Sequence, residues 1–201
     1  MSVSDEIREE PTSGLRLARP VALVGLMGAG KTSVGRRLAD LVSAPFVDSD
    51  TEIAVAAGMS IPEIFATYGE PEFRDGERRV IARLLSGPPC VLATGGGAFI
   101  EERTRADVME MATSVWLRAD LEVLWDRVRD RPGRPLLDAP DPKAVLADLD
   151  RTRAPFYGLA DVTVDSRRGA SHLAMARAIV AALRARDAER GDGAPTLKEI
   201  A

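Results

Sequence analysis

The segment Gly25-Leu26-Met27-Gly28-Ala29-Gly30-Lys31-Thr32 sets glycines, a lysine and a hydroxyl at the spacing of a phosphate-cradling loop. Gly25, Gly28 and Gly30 allow positive φ and close approach, so that the N–H groups of Gly28, Ala29 and Gly30 can converge on anionic oxygens. A helix opening near Lys31, with Thr32 and Ser33 in its first turn, aims the positive end of its dipole at the same point. Lys31 supplies a flexible cation for the outer phosphates, and the Thr32 hydroxyl is placed to complete a magnesium shell. The chemistry is that of a nucleoside triphosphate site.

Asp48 and Asp50 follow the apolar pair Phe46-Val47, and their i, i+2 spacing in extended chain turns them the same way. One can sit near the magnesium beside Thr32 while the other reaches an acceptor hydroxyl; the plainer alternative is a helix cap and a turn residue. Thr94-Gly95-Gly96-Gly97 follows Val91 to Ala93 in the same manner. Three glycines at a strand end cost conformational entropy, which suits a substrate floor approached closely by a ligand, or else a loose connection. Candidate arginines lie in the charged stretch with Arg74 and Arg78, in the Pro- and Gly-rich stretch at Arg134, and near a helix end at Arg151 and Arg153. Their planar forks match carboxylate and phosphate oxygens. Arg74 lies in a charged stretch with Asp75, Glu77, Arg78 and Arg79 that equally fits a solvated helix face.

Strand-like runs at 21–24, 46–47, 91–93, 114–117 and 162–164 alternate with helical patterns, the signature of a parallel sheet covered on both faces. Ser60-Ile61-Pro62-Glu63 reads as a capping-box start for a helix through Tyr68, and Pro71 opens another that runs to about Leu85. Asp120 is expected to cap a helix through Val128, and a further helix spans roughly 143–157. Between these two lies a Pro- and Gly-rich stretch, taken with its flanks as 129–142, that reads as a hinged lid carrying Arg134. Residues 1–19 and 186–201 lack apolar periodicity and are expected to be flexible tails around one domain over 20–185. In such a sheet ligands gather beyond the carboxyl ends of the strands, where all the candidate clusters fall.

A chain of 201 residues with a net charge of −4 is long enough for one well-buried core and poor in the clustered cations that nucleic-acid binding needs. No run is long enough to span a membrane, and Met1 to Glu10 is too polar for a secretory signal, so the cytoplasm is expected. The single Cys90 heads an apolar run and reads as core.

Taken in order, the phosphate loop, Asp48-Ser49-Asp50, Phe73-Arg74, Gly95-Gly96-Gly97, Arg134-Pro135-Leu136-Leu137 and Arg153-Ala154-Pro155-Phe156-Tyr157 resemble the motif set of shikimate kinases from about Arg19 to Arg184. The resemblance implies a three-layer α/β/α fold with a central five-stranded parallel sheet, a P-loop fold of the nucleoside-monophosphate-kinase type. It implies transfer of the γ-phosphoryl group of ATP to the 3-hydroxyl of shikimate in the route to aromatic amino acids, with one Mg2+ accompanying ATP. By position, Asp50 resembles the acid that binds the acceptor hydroxyl, and Arg74 and Arg153 the pair that clamps the shikimate carboxylate. Gly95, Gly96 and Gly97 resemble backbone donors to the ring hydroxyls. Arg134 resembles the lid arginine on the phosphates, Thr32 the magnesium ligand, Asp48 its partner through water, and Arg168 (or its neighbour Arg167) the adenine-side residue. ATP and shikimate are then the partners, without nucleic acid or membrane, and a monomer is expected. The rival readings are a related kinase acting on gluconate or a nucleoside monophosphate, and a nucleotide-sensing protein without turnover.

Overall fold

The computed structural model describes residues 14–129, 139–191 and 194–199. Five parallel strands form the central sheet: β2 (Val21–Val24), β3 (Phe46–Asp48), β4 (Val91–Ala93), β5 (Thr113–Arg118) and β6 (Val162–Asp165). Their spatial order is β3-β4-β2-β5-β6, so β2 is central and the loop leaving it opens over the middle of the sheet. The continuous burial of β2 and β4 follows from helices on both faces, since a sheet side open to water would impose alternation. Helix α1 (Lys31–Leu41) packs with α7 (His172–Arg190) on one face, and α3 (Ile61–Leu85) packs with α4 (Glu102–Met111) on the other. Helices α2 (Ser49–Ala57), α5 (Leu121–Val128) and α6 (Pro142–Tyr157) complete the set. Leu23, Leu38, Leu92, Leu117, Ile179 and Leu183 lie in one core between these layers, and Cys90 is buried there as expected.

Local chemistry sets the boundaries. The capping box at Ser60 forms, with the Glu63 carboxylate accepting from the Ser60 N–H at 2.8 Å. Helix α3 is broken at Gly69 (φ 79°), where non-helical backbone and the following Pro71 interrupt the ladder, so it consists of two helical stretches meeting at a kink, as expected. Asp120 holds the N-cap position of α5 without a side-chain hydrogen bond; Glu122 in the first turn supplies the negative charge there. Among the described residues no helix is long and apolar enough to cross a membrane.

The tails expected over 1–19 and 186–201 need correction within their described parts. Helix α7 runs on to Arg190, and β1 (Leu15–Leu17) pairs antiparallel with β7 (Leu197–Glu199). Leu15, Leu17 and Leu197 are buried by this pairing. Each strand is three residues long and its partner lies at the other end of the chain, so neither carries a readable alternation on its own. Polar contacts hold the C-terminal strand: the Asp187 carboxylate accepts from the N–H groups of Thr196 (2.7 Å) and Leu197 (3.0 Å), while Arg186 pairs with Asp161 at 2.7 Å.

Candidate active site

The phosphate loop takes the shape its glycines allow. Gly25, Gly28 and Gly30 have φ of 133°, 84° and 96°, and a Cβ at Gly28 would lie 2.8 Å from Val128 and 3.0 Å from the Leu124 carbonyl. Helix α1 starts at Lys31, with Gly30 as its N-cap, so its unpaired first-turn amides face the loop's hollow. The Lys31 ammonium donates to the carbonyls of Gly25 (2.7 Å) and Leu26 (3.1 Å), which folds its stem back over the loop. Arg127 of α5 donates to the Gly28 carbonyl at 3.1 Å and to the Ser166 hydroxyl at 2.9 Å, tying the loop to the turn after β6. Met27, Gly28, Ala29, Gly30, Lys31, Thr32 and Ser33 line one cleft together with Asp48, Asp50, Gly95 and Gly96.

Asp48 and Asp50 divide the two roles that the sequence left open. Asp48 is the N-cap of α2: its Oδ1 accepts from the Asp50 N–H at 3.1 Å, and its Oδ2 accepts from the Thr32 hydroxyl at 3.0 Å. The capping residue is therefore Asp48. Asp50 makes no cap and stands in the cleft. Its carboxyl is raised from the usual aspartate range, first by the burial of its surroundings and then by the Asp48 charge; Lys31 and Arg74 pull it back only in part.

The glycine run forms the floor beside Asp50. The Gly95 N–H donates to the Ser49 hydroxyl at 3.0 Å, locking the run to the start of α2. A Cβ at Gly95 would lie 2.8 Å from the Asp50 carboxylate and 2.9 Å from that of Glu77. At Gly97 it would lie 2.5 Å from the Arg74 guanidinium. At both positions a methyl group would displace the functional side chain packed on the glycine.

Arg74 and Arg153 reach this floor from opposite sides. Arg74 is held by Glu77 at 2.6 Å and by Glu70 at 3.1 Å. Glu77 is only 1% exposed; burial raises its carboxyl and the Arg74 charge draws it down, with burial winning. Arg153 donates to the Gly96 carbonyl at 3.3 Å, and Tyr157, one turn later on α6, donates to the same oxygen at 2.5 Å. Arg78, in contrast, pairs with Asp107 at 3.3 Å, so of the two it is Arg74 that lies against the glycine floor.

Of the candidate residues, the phosphate loop, Asp48, Asp50, Arg74, Gly95 to Gly97 and Arg153 therefore converge. Arg168 pairs with Asp126 of α5 at 2.5 Å and stands between Ser166 and Ala170, which line the same cleft. Arg134 lies outside the described residues. Sequence reasoning assigned no role to Ser49, Glu77, Arg127 or Tyr157. Glu77 had one readable signal, its i+3 spacing from Arg74, and Tyr157 had its i+4 spacing from Arg153.

The donor set can be tested against a magnesium ion. Thr32 and Asp48 bring two oxygens together at 3.0 Å, and a hard cation that retains waters and phosphate oxygens needs few protein ligands. The residues fit.

Comparison with known proteins agrees with this geometry. The model of the family described as shikimate kinase matches residues 27–184. A shikimate kinase of Nitrobacter winogradskyi is 60% identical over 149 residues, covering 74% of this chain and 70% of that one. One of Ruegeria pomeroyi is 55% identical over 170 residues, covering 85% of this chain and 87% of its own. Among solved structures, a shikimate kinase from Acinetobacter baumannii in complex with shikimate superposes with a TM-score of 0.76 at 39% identity, covering 81% of this chain and 90% of that chain.

Proposed function

The chain belongs to the shikimate kinase family, and from that premise we infer that it transfers the γ-phosphoryl group of ATP to the 3-hydroxyl of shikimate. The observation that carries the assignment of residues is the convergence of Asp50, Arg74, Arg153 and the Gly95–Gly97 floor beside the phosphate loop. Two arginines and one carboxylate suit an acceptor that presents a carboxylate at one end and hydroxyls at the other.

Each residue then has a physical task. The loop amides and the N-terminus of α1 hold the phosphates, and Lys31 exchanges its carbonyl contacts for the outer phosphate oxygens. Magnesium, when bound with the nucleotide, neutralises phosphate charge; Thr32 and Asp48 are the residues that would hold it, Asp48 through water. Arg74 and Arg153 bind the acceptor carboxylate, which fixes the ring's distance from Asp50. Asp50 accepts the hydrogen bond of the 3-hydroxyl and takes its proton as the bond to phosphorus forms. The surroundings that raise Asp50 above an ordinary aspartate improve it as a proton acceptor. Arg134 is assigned to the transferring phosphoryl group from the motif it shares with the family. One chain carries all of these groups, so a monomer is the proposed working unit, and the cytoplasm its proposed location.

The decisive experiment offers shikimate, gluconate and AMP separately to the purified chain with ATP and magnesium and follows ADP release. Turnover with shikimate alone is expected. Turnover with gluconate or AMP and none with shikimate would overturn the assignment, and ATP binding without ADP release for any acceptor would point to a sensor.

A further inference from the structure

Tyr157 is one of two tyrosines in the chain and is 1% exposed, while Tyr68 is 56% exposed. Its ring stands 6.0 Å from that of Trp116, so the side chain is packed on the sheet and cannot swing. Burial pushes its phenol up to about 12, so the hydroxyl remains a donor throughout the pH range of an aqueous assay. That donor goes to the Gly96 carbonyl, where the Arg153 guanidinium also arrives. A peptide plane is rigid and here trans, so fixing the carbonyl of Gly96 also fixes the N–H of Gly97, which must face away from α6. Among the described residues neither the Gly96 nor the Gly97 N–H finds an intramolecular acceptor, although Gly95 N–H is satisfied by Ser49 and the Gly97 carbonyl accepts from Ile100 at 3.1 Å. Two unspent amides beside Arg74 and Asp50 are suited to a ligand's oxygens.

We propose that Tyr157 is a positioning residue for the acceptor: by anchoring the Gly96 carbonyl together with Arg153, it sets the Gly96–Gly97 peptide so that its amide meets an oxygen of the hydroxy acid. The inference rests on the function proposed above. Tyr157 touches neither reactant and acts through the floor. Its second effect is on Arg153, because the shared acceptor keeps that guanidinium at 3.3 Å from Gly96 and within reach of the acceptor carboxylate. The hydroxyl of Tyr157 acts through Gly96, which packs beside Gly25 and Met27 of the phosphate loop, yet the amides it orients face the acceptor half of the cleft.

The test is Tyr157→Phe, which keeps the packed ring and removes one oxygen. The expected result is a 5- to 10-fold rise in KM for shikimate, the scale of one lost neutral hydrogen bond, with KM for ATP unchanged. A role confined to stability would lower the melting temperature and leave that split absent; equal KM values for shikimate in variant and wild type overturn the proposal. Should the variant fail to fold, the wild-type chain carrying 3-fluorotyrosine at both positions decides the matter. The 19F resonance of residue 157 is expected to move when shikimate binds and to stay when ATP binds alone, with Tyr68 as the internal control. No movement with shikimate overturns the proposal. Failure of the wild type to phosphorylate shikimate would instead bring down the underlying reading and this inference with it, which separates the two failures.

Discussion

Gly97→Ala isolates the carboxylate clamp more cleanly than removing an arginine, because its backbone needs no left-handed φ and the three atoms nearest to an added methyl group all belong to Arg74. The added Cβ would lie 2.5 Å from Nη2, 2.7 Å from Nη1 and 2.8 Å from Cζ of Arg74. Ordinary contact begins at 3.4 Å, so the guanidinium must withdraw by about 0.9 Å. It can do so, as the far end of a flexible side chain, but only by loosening its 2.6 Å pair with the buried Glu77. A displacement of that size forfeits most of a charge-assisted hydrogen bond, about 1.5–3 kcal/mol, or roughly 10- to 100-fold in kcat/KM for shikimate. The fold should survive, since the clash is relieved by one side chain. The assay is steady-state ADP release against shikimate at saturating ATP, with thermal melting as the check on folding. An acceptor lacking the carboxylate supplies the control: the variant and wild type should use it equally poorly. A folded variant with the wild-type KM for shikimate would refute the placement of Arg74 on the acceptor.

Four other outcomes follow from the same geometry. Asp50→Ala should lower kcat by about a hundredfold or more while ATP still binds, because the proton acceptor is lost and the phosphate loop is intact; near-normal turnover would dismiss the base role. In the wild type, activity should require ionised Asp50, be present above its raised pKa and vanish as pH falls through it. Asp48→Asn removes one of the charges that raise Asp50, so the acid limb of kcat/KM should shift to lower pH; a limb that stays or rises contradicts the coupling. Asp161→Ala should cost about 1–3 kcal/mol and a few degrees in Tm by taking from Arg186 its nearer carboxylate, leaving Asp187 at 3.4 Å, and by stranding the Ser114 N–H, without altering KM for either substrate. Burial pushes the Asp161 carboxyl up, but hydrogen bonds from Ser114 and Arg186 outweigh it and leave it lowered, so its contribution is present above the ordinary carboxylate range and is lost as pH falls through the lowered value. The deficit of the variant should accordingly shrink in acid, as melting curves at several pH values would show. Tyr157→Phe should separate the two KM values as described above.

The sheet was readable because each of its five strands is a short apolar run followed by a turn residue or a helix start, and such runs need no partner to be recognised. The phosphate loop was readable for a related reason: its conformation is local, set by glycines within six residues of one another. What stayed hidden depends on distant pairing. Strands β1 and β7 are legible only once the two ends of the chain are known to meet. Arg74 and Arg78 were indistinguishable as letters, and only the rotation of α3 beyond its Gly69 kink decides which one faces Gly97 and which faces Asp107. Asp48 and Asp50 were ambiguous because both a cap and a metal partner call for a short acid; the structure shows one side chain with both oxygens engaged, capping α2 with one and meeting Thr32 with the other.

Glu77 shows why charge counting alone misreads such a site. A carboxylate placed against the arginine that must bind an anionic acceptor weakens the local positive potential, which on that ground alone would be a poor choice. Its burial changes the balance: with 1% exposure it has no water to turn to, so it holds Arg74 at 2.6 Å in one orientation. Without it the guanidinium would answer chiefly to Glu70, which is 66% exposed and flexible, and would spend part of its time away from Gly97. The fork has donors left over after meeting Glu77, so binding the acceptor carboxylate does not require breaking the pair. The same buried carboxylate lies near Gly95 opposite Asp50; the Asp50 charge helps to raise Glu77, while Arg74 draws both acids down. The orientation of Arg74 is therefore set by Glu77, and because the Arg74 charge is one of those that pull Asp50 down, a Glu77→Gln variant that frees the guanidinium would disturb the acceptor clamp and the proposed base together.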